Sequence, residues 1–102
     1  MNQNYTYILR CKDGTYYTGW TNDIRKRLHM HRSGQGAKYT KGRGPLTLVH
    51  LEVFDTQSEA MKREAFIKTL SRAEKEELLK DTSWKTMLTG WELSDLLLEE
   101  EN

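Results

Sequence analysis

The 102-residue chain holds one cysteine, Cys11, so no disulfide framework within the chain and no cysteine-built zinc site is available to it. No apolar run approaches the roughly 18 residues of a membrane-spanning helix, and no membrane partner is expected. The N-terminal MNQNYTY lacks the basic-then-apolar layout of a signal peptide, so the expected location is the cytoplasm. Internal repeats and low-complexity linkers are absent as well. A formal net charge of +1 names no partner. With 36% hydrophobic and 30% charged residues the chain is polar for a globular protein, yet its three Trp, five Tyr and two Phe argue against disorder. Its length suits one domain with a modest core.

The near-zero net charge hides a division. Residues 1–50 carry nine basic side chains and only two acids, Asp13 and Asp23, whereas residues 51–102 carry seven basic and thirteen acidic groups. Such asymmetry fits either a polyanion met by the basic half or two halves that neutralise each other across the fold.

Tyr5–Cys11 is rich in aromatic and branched residues and reads as a strand; Tyr16–Thr21 reads as its returning partner. The turn between them decides which residues share a face. A two-residue Asp13-Gly14 loop would put Tyr7 and Tyr17 on opposite faces. A three-residue loop with Gly14 left-handed pairs Cys11 with Thr15 and puts both tyrosines on one face, and Lys-Asp-Gly favours that second arrangement. Asn22 or Thr21 is the expected cap of a first helix running to about Ser33. A Gly-rich basic loop spans Gln35–Pro45, and Leu46–Phe54 reads as a third, well-buried strand. Thr56 or Ser58 caps a second helix, Gln57–Leu70, and the S-x-x-E box of Ser71 and Glu74 opens a third, Arg72–Lys80. The expected fold is a small α+β domain over residues 1–80: a three-stranded antiparallel sheet with flanking helices in the order β-β-α-β-α-α. An extension, 81–102, follows; it is expected to be helical over 92–101, with Trp84 and Trp91 pinning it down.

Two helices carry charge where apolar side chains belong. On the first, Arg27 and His31 fall inside the arc of Ile24 and Leu28, while Arg25, His29 and Arg32 point away. Arg27 and His31 are one turn apart, so their heads can converge, and a guanidinium offers a donor fork that fits phosphate oxygens. On the second, Glu64 falls within a stripe of Ala60, Met61, Ala65 and Ile67, with Lys62 and Arg63 turned away. A carboxylate there needs a partner, either Lys68 one turn on or a hard divalent cation. The loop residues Lys38, Tyr39, Lys41 and Arg43 interleave cations with an aromatic ring and glycines, as backbone-tracking nucleic-acid loops do.

These residues resemble those of the GIY-YIG nuclease superfamily, in particular its small stand-alone bacterial members. Tyr5-Thr6-Tyr7 stands for the first signature strand and Tyr17-Thr18-Gly19 for the second; Tyr5 and Thr6 replace a glycine and an isoleucine, but the tyrosine is kept. Arg27 falls at the family's catalytic arginine, His31 at the position one turn on, and Glu64, within Lys62-Arg63-Glu64, at its metal-binding glutamate. Gly42–Pro45 is similar to a stretch of the flap and junction nucleases, and Trp20 stands where some repair nucleases carry a lysine. The likeness spans about residues 5–80.

The resemblance implies metal-dependent phosphodiester hydrolysis of the repair or recombination type, on DNA before RNA. Glu64 would hold Mg²⁺ or Mn²⁺, Arg27 would stabilise the transition state, and Tyr7 or Tyr17 would position or deprotonate the attacking water with His31 as relay. Lys38, Tyr39, Lys41 and Arg43 would contact the nucleic acid, and either DNA shape or a protein partner is expected to supply specificity. The competing expectations are a nucleic-acid-binding module of the same fold without useful catalysis, and a protein-interaction domain.

Overall fold

The computed structural model describes residues 3–32 and 46–88. The central strand, β1 (Asn4–Arg10), pairs antiparallel with β2 (Tyr16–Thr21) on one side and with β3 (Thr47–Phe54) on the other. Helix α1 (Ile24–Arg32) follows β2, while α2 (Gln57–Lys68), α3 (Arg72–Leu78) and a short 3₁₀ helix, Ser83–Leu88, follow β3. The predicted α+β class and order of elements are those of the structure.

The β1–β2 turn takes the three-residue form. Gly14 N–H donates to the Cys11 carbonyl at 2.9 Å, Cys11 N–H to the Thr15 carbonyl at 2.8 Å, and Gly14 has φ of 86°. That conformation strains any residue with a Cβ, so Gly14 fixes the register. Leu9 consequently faces Tyr17 and Tyr7 faces Gly19, which puts Tyr7 and Tyr17 on one side of the sheet.

The two faces are covered differently. Tyr7, Leu9, Leu48 and Leu51 pack with Ile24 and Leu28 of α1 and with Trp84, so Trp84 does pin the 3₁₀ helix to the core. On the opposite face the Thr6 hydroxyl donates to the Ala60 carbonyl at 2.8 Å and ties α2 to the central strand. At the outer edge, Arg72 of α3 stacks 4.8 Å over the Tyr16 ring and pairs with Glu76 at 3.0 Å.

Three expectations need correction. The third strand is an edge strand, and only Leu48, His50 and Leu51 within it are buried; β1, with Thr6, Tyr7, Ile8 and Leu9 fully enclosed, is the buried one. The cap of α1 is neither Asn22 nor Thr21. Asp23 Oδ1 accepts from the Lys26 N–H at 3.1 Å, and the Thr21 hydroxyl instead accepts from Asp23 N–H at 3.0 Å. On α2, Met61 and Ala65 are exposed, and the inward arc is Ala60, Arg63, Glu64 and Ile67. The arc is narrower than the stripe predicted because one edge of it is closed by an ion pair rather than by apolar side chains. Of Thr56 and Ser58 it is Thr56 that caps α2, forming a capping box with Glu59, and the expected box of Ser71 and Glu74 is present. Lys38, Tyr39, Lys41, Arg43, Trp91 and the helix expected over 92–101 lie outside the described residues.

Candidate active site

The site is built around a tyrosine that crosses a strand. Tyr7 and Gly19 are register partners on adjacent strands, and the Tyr7 ring lies over Gly19. A Cβ on residue 19 would sit 2.7 Å from Tyr7 Oη, 2.8 Å from its Cζ and 3.0 Å from Tyr17 Cε2. Only glycine leaves room for this crossing, and the crossing carries the Tyr7 hydroxyl from the central strand to the outer strand β2.

Helix α1 supplies the groups that meet it. Tyr7 Oη lies 2.8 Å from His31 Nε2, both side chains being buried. The three rings of Tyr7, Tyr17 and His31 form one cluster. Centroids are 6.3 Å apart for the two tyrosines, 5.7 Å for Tyr7 and His31, and 5.4 Å for Tyr17 and His31, the histidine meeting each tyrosine edge-on. Arg27, half-buried one turn before His31, places its guanidinium beside the Tyr7 phenol. Helix α1 turns Ile24, Leu28 and His31 inward and Arg25 and His29 outward as deduced, with Arg27 half-buried at the rim; the Arg32 side chain lies outside the described residues.

Electrostatics sort the two tyrosines. Burial, with Tyr17 next to it, pushes the Tyr7 phenol well above the ordinary value of 10.0; Arg27 pulls the other way without winning, and the Glu64 charge adds to the rise. Burial first, and then the Arg27 charge, push His31 down from 6.5 to about 4. At neutral pH the pair is therefore a protonated phenol and a neutral imidazole. A phenol donates more strongly than it accepts, so we assign Tyr7 O–H as the hydrogen-bond donor to Nε2 and place the ring proton on Nδ1. Tyr17 is only half-buried and keeps an approach from solvent.

Glu64 is the fifth predicted residue. Its side chain is 19% exposed, and its Oε2 is 3.1 Å from Lys68 Nζ, the i,i+4 partner. It nevertheless stands close enough to the cluster for its charge to act on Tyr7. Tyr7, Tyr17, Arg27 and His31 are thus brought together, with Glu64 at the margin and tethered to Lys68. Among the described residues no three His, Cys, Asp or Glu side chains converge on a common point. That excludes an all-protein cage among them but suits Mg²⁺ or Mn²⁺ held by one carboxylate, waters and substrate phosphate.

One group of positioning residues escaped the sequence reading. Arg63, expected to turn away, donates to Glu52 of β3 through Nε at 2.9 Å and Nη2 at 3.1 Å. His50 Nε2 lies 2.7 Å from the same carboxylate. Burial pushes the Glu52 carboxyl up, but the hydrogen bonds and charges of His50 and Arg63 outweigh it and hold it below its ordinary range. This two-pronged bond fixes the rotation of α2 and thereby the direction of Glu64, the next residue. The signal available was His50-x-Glu52, two residues on one face of a strand, opposite a cation on the following helix.

Comparison with known proteins bears on the family and the fold. The GIY-YIG catalytic domain model matches residues 3–77. A UPF0213 protein of Syntrophus aciditrophicus is 60% identical over 81 residues, 78% of this chain and 93% of that protein. Another, from Halobacterium salinarum, is 57% identical over 75 residues, covering 74% and 97%. Two solution NMR structures are similar, each at 45% identity. The UPF0213 protein BH0048 from Bacillus halodurans has a TM-score of 0.51, with 91% of this chain and 92% of that one covered. EF2693 from E. faecalis has a TM-score of 0.56, covering 78% and 85%. The chain therefore belongs to the GIY-YIG family, in the company of the UPF0213 proteins.

Proposed function

We propose that the protein is a divalent-metal-dependent nuclease that hydrolyses phosphodiester bonds in DNA, in a repair or recombination role within the cytoplasm. The observation that supports this best is the single cluster of Tyr7, Tyr17, Arg27 and His31. No helix among the described residues is long and apolar enough to cross a membrane.

Each side chain has a task in this reading. Tyr17, after giving up its own phenolic proton to solvent, orients the attacking water and takes its proton, because it is the tyrosine that solvent reaches. Tyr7 is a positioning residue: its hydroxyl is committed to His31, and its ring packs against Tyr17. His31, neutral and bonded through Nε2, keeps the Tyr7 phenol in place. Arg27 aims its guanidinium at the scissile phosphate and stabilises the charge that grows there. Glu64 would hold Mg²⁺ or Mn²⁺, which when bound neutralises charge on the phosphate and the leaving oxygen. Lys38, Tyr39, Lys41 and Arg43 would track flanking phosphates and give a salt-dependent affinity. A protein partner would supply specificity.

The test is incubation of branched, linear and single-stranded DNA and of RNA with Mg²⁺ or Mn²⁺, comparing the wild type with Glu64→Ala and Arg27→Ala. Cleavage by the wild type alone, with binding retained in both variants, is the expected result. The Lys68 ion pair on Glu64 favours one other reading, a binding module without useful catalysis. Binding by all three proteins and cleavage by none would establish it.

A further inference from the structure

We propose that Lys68 is a positioning residue of the metal site, holding the Glu64 carboxylate in the ion-free protein and releasing it when a divalent cation binds. This rests on the reading of Glu64 as the metal ligand.

Four cations lie near Glu64 in sequence or space; Lys62 is exposed, and two others are committed elsewhere. Arg63 spends its fork on Glu52, and Arg27 stands beside the Tyr7 phenol. Lys68 is the one that holds Glu64, with Nζ 3.1 Å from Oε2. The pair runs from Glu to Lys over one helical turn, the favourable order, so it forms from local geometry alone and steers the carboxylate. The two ends differ in burial: the Glu64 side chain is 19% exposed and the Lys68 side chain 55%. The carboxylate is therefore fixed while the ammonium is free to swing into water.

A divalent ion and this ammonium oppose each other. A hard cation binds carboxylate oxygen at about 2 Å, which would leave the Lys68 ammonium within about 5 Å of a doubly charged centre. Like charges at that separation repel appreciably even in a watery dielectric. The ammonium must move outward, and its flexible four-carbon stem permits that. Once displaced, it remains one turn from the carboxylate, placed to pair with a phosphate oxygen of the substrate. Lys68 thus sets a threshold for ion entry and keeps Glu64 oriented until the ion arrives.

The experiment is a titration of the full chain with Mn²⁺ in the absence of nucleic acid, free ion being followed by electron paramagnetic resonance. Wild type, Lys68→Met, Lys68→Arg, Glu64→Gln and the double variant Glu64→Gln/Lys68→Met are compared. Lys68→Met should bind Mn²⁺ about three- to tenfold more tightly than the wild type. Lys68→Arg should stay close to the wild type, and both proteins lacking Glu64 should lose the site. Equal or weaker binding by Lys68→Met, with Glu64-dependent binding intact in the wild type, overturns the role of Lys68 and leaves the metal-ligand reading standing. Absence of binding by wild type and Lys68→Met alike overturns that reading and this inference together.

Discussion

Tyr7 passes over Gly19 so closely that a Cβ on the glycine would lie 2.7 Å from the phenolic oxygen. The ring cannot yield by a small rotation, because it is fully buried and its hydroxyl is bonded to His31. Gly19→Ala should therefore expel Tyr7 from its place. Overpacking of this kind costs about 1–3 kcal/mol, to be read from urea denaturation. The diagnostic is a double-mutant cycle. Tyr7→Leu removes the atoms that clash, so Gly19→Ala should cost much less in that background than in the wild type. Equal costs in the two backgrounds would mean that the glycine serves the strand and not the tyrosine.

The Tyr7–His31 pair also makes a pH signature. His31 is held neutral in the folded chain, down to about 4 from an ordinary 6.5. The unfolded chain binds the extra proton between those values, so stability rises with pH across that window. The contribution of His31 is fully present above about pH 6.5 and is lost as pH falls toward 4. Between pH 7.5 and pH 5 the wild type should lose about 2 kcal/mol through this group alone. His31→Gln keeps an acceptor for the Tyr7 hydroxyl but does not titrate. It should lose correspondingly less over the same interval when both proteins are unfolded in urea at each pH.

How much of this was legible in the sequence depended on the range of the interaction. Capping boxes at Thr56 and Ser71, the Gly14 turn and the inward Arg27 and His31 are set by neighbours within four residues, and all were readable. Strand order was not. Nothing local says that Tyr5–Cys11 is central and that Leu46–Phe54 lies at an edge, since the choice is made by which surfaces α1 and α2 cover. The inward arc of α2 was misjudged for the same reason: Arg63 is drawn in by Glu52, eleven residues away on another element. Helical periodicity singled out Glu64 and its i,i+4 partner Lys68, and the family resemblance added the metal-binding role expected of the glutamate.

The Arg63–Glu52 bond offers its own check. Glu52 is held below its ordinary 4.5, so its contribution to stability is present above that value and disappears as pH falls through the lowered range. Arg63→Met leaves the half-buried carboxylate with His50 as its remaining side-chain partner. The variant should be less stable at pH 7 by about 1–2 kcal/mol, a figure reduced for the solvent that reaches both side chains. The deficit should shrink toward pH 3, because protonation removes the same interaction from the wild type. The window lies below that of His31, so the two effects separate in a pH series of thermal melts. A deficit that does not vary with pH would place the effect of Arg63 in its packing against Phe66, whose ring centroid lies 5.4 Å from the guanidinium carbon.

The two tyrosines should answer differently to loss of a single oxygen. Tyr7→Phe leaves His31 Nε2 as a buried acceptor without its donor, which costs about 1–3 kcal/mol in unfolding free energy. Tyr17→Phe removes an oxygen from a half-buried ring whose packing remains, so its stability should change by less than about 1 kcal/mol. Activity should invert the order. Loss of a group that handles the proton of the attacking water lowers turnover by about 10²–10⁴-fold, whereas loss of a positioning contact lowers it less. Single-turnover cleavage in Mn²⁺, set beside urea unfolding of the same samples, tests the assignment. If Tyr7→Phe is the more damaging to turnover after correction for its folded fraction, the roles of the two phenols must be exchanged. His31 would then be the immediate proton acceptor, because its Nε2 lies 2.8 Å from the Tyr7 oxygen.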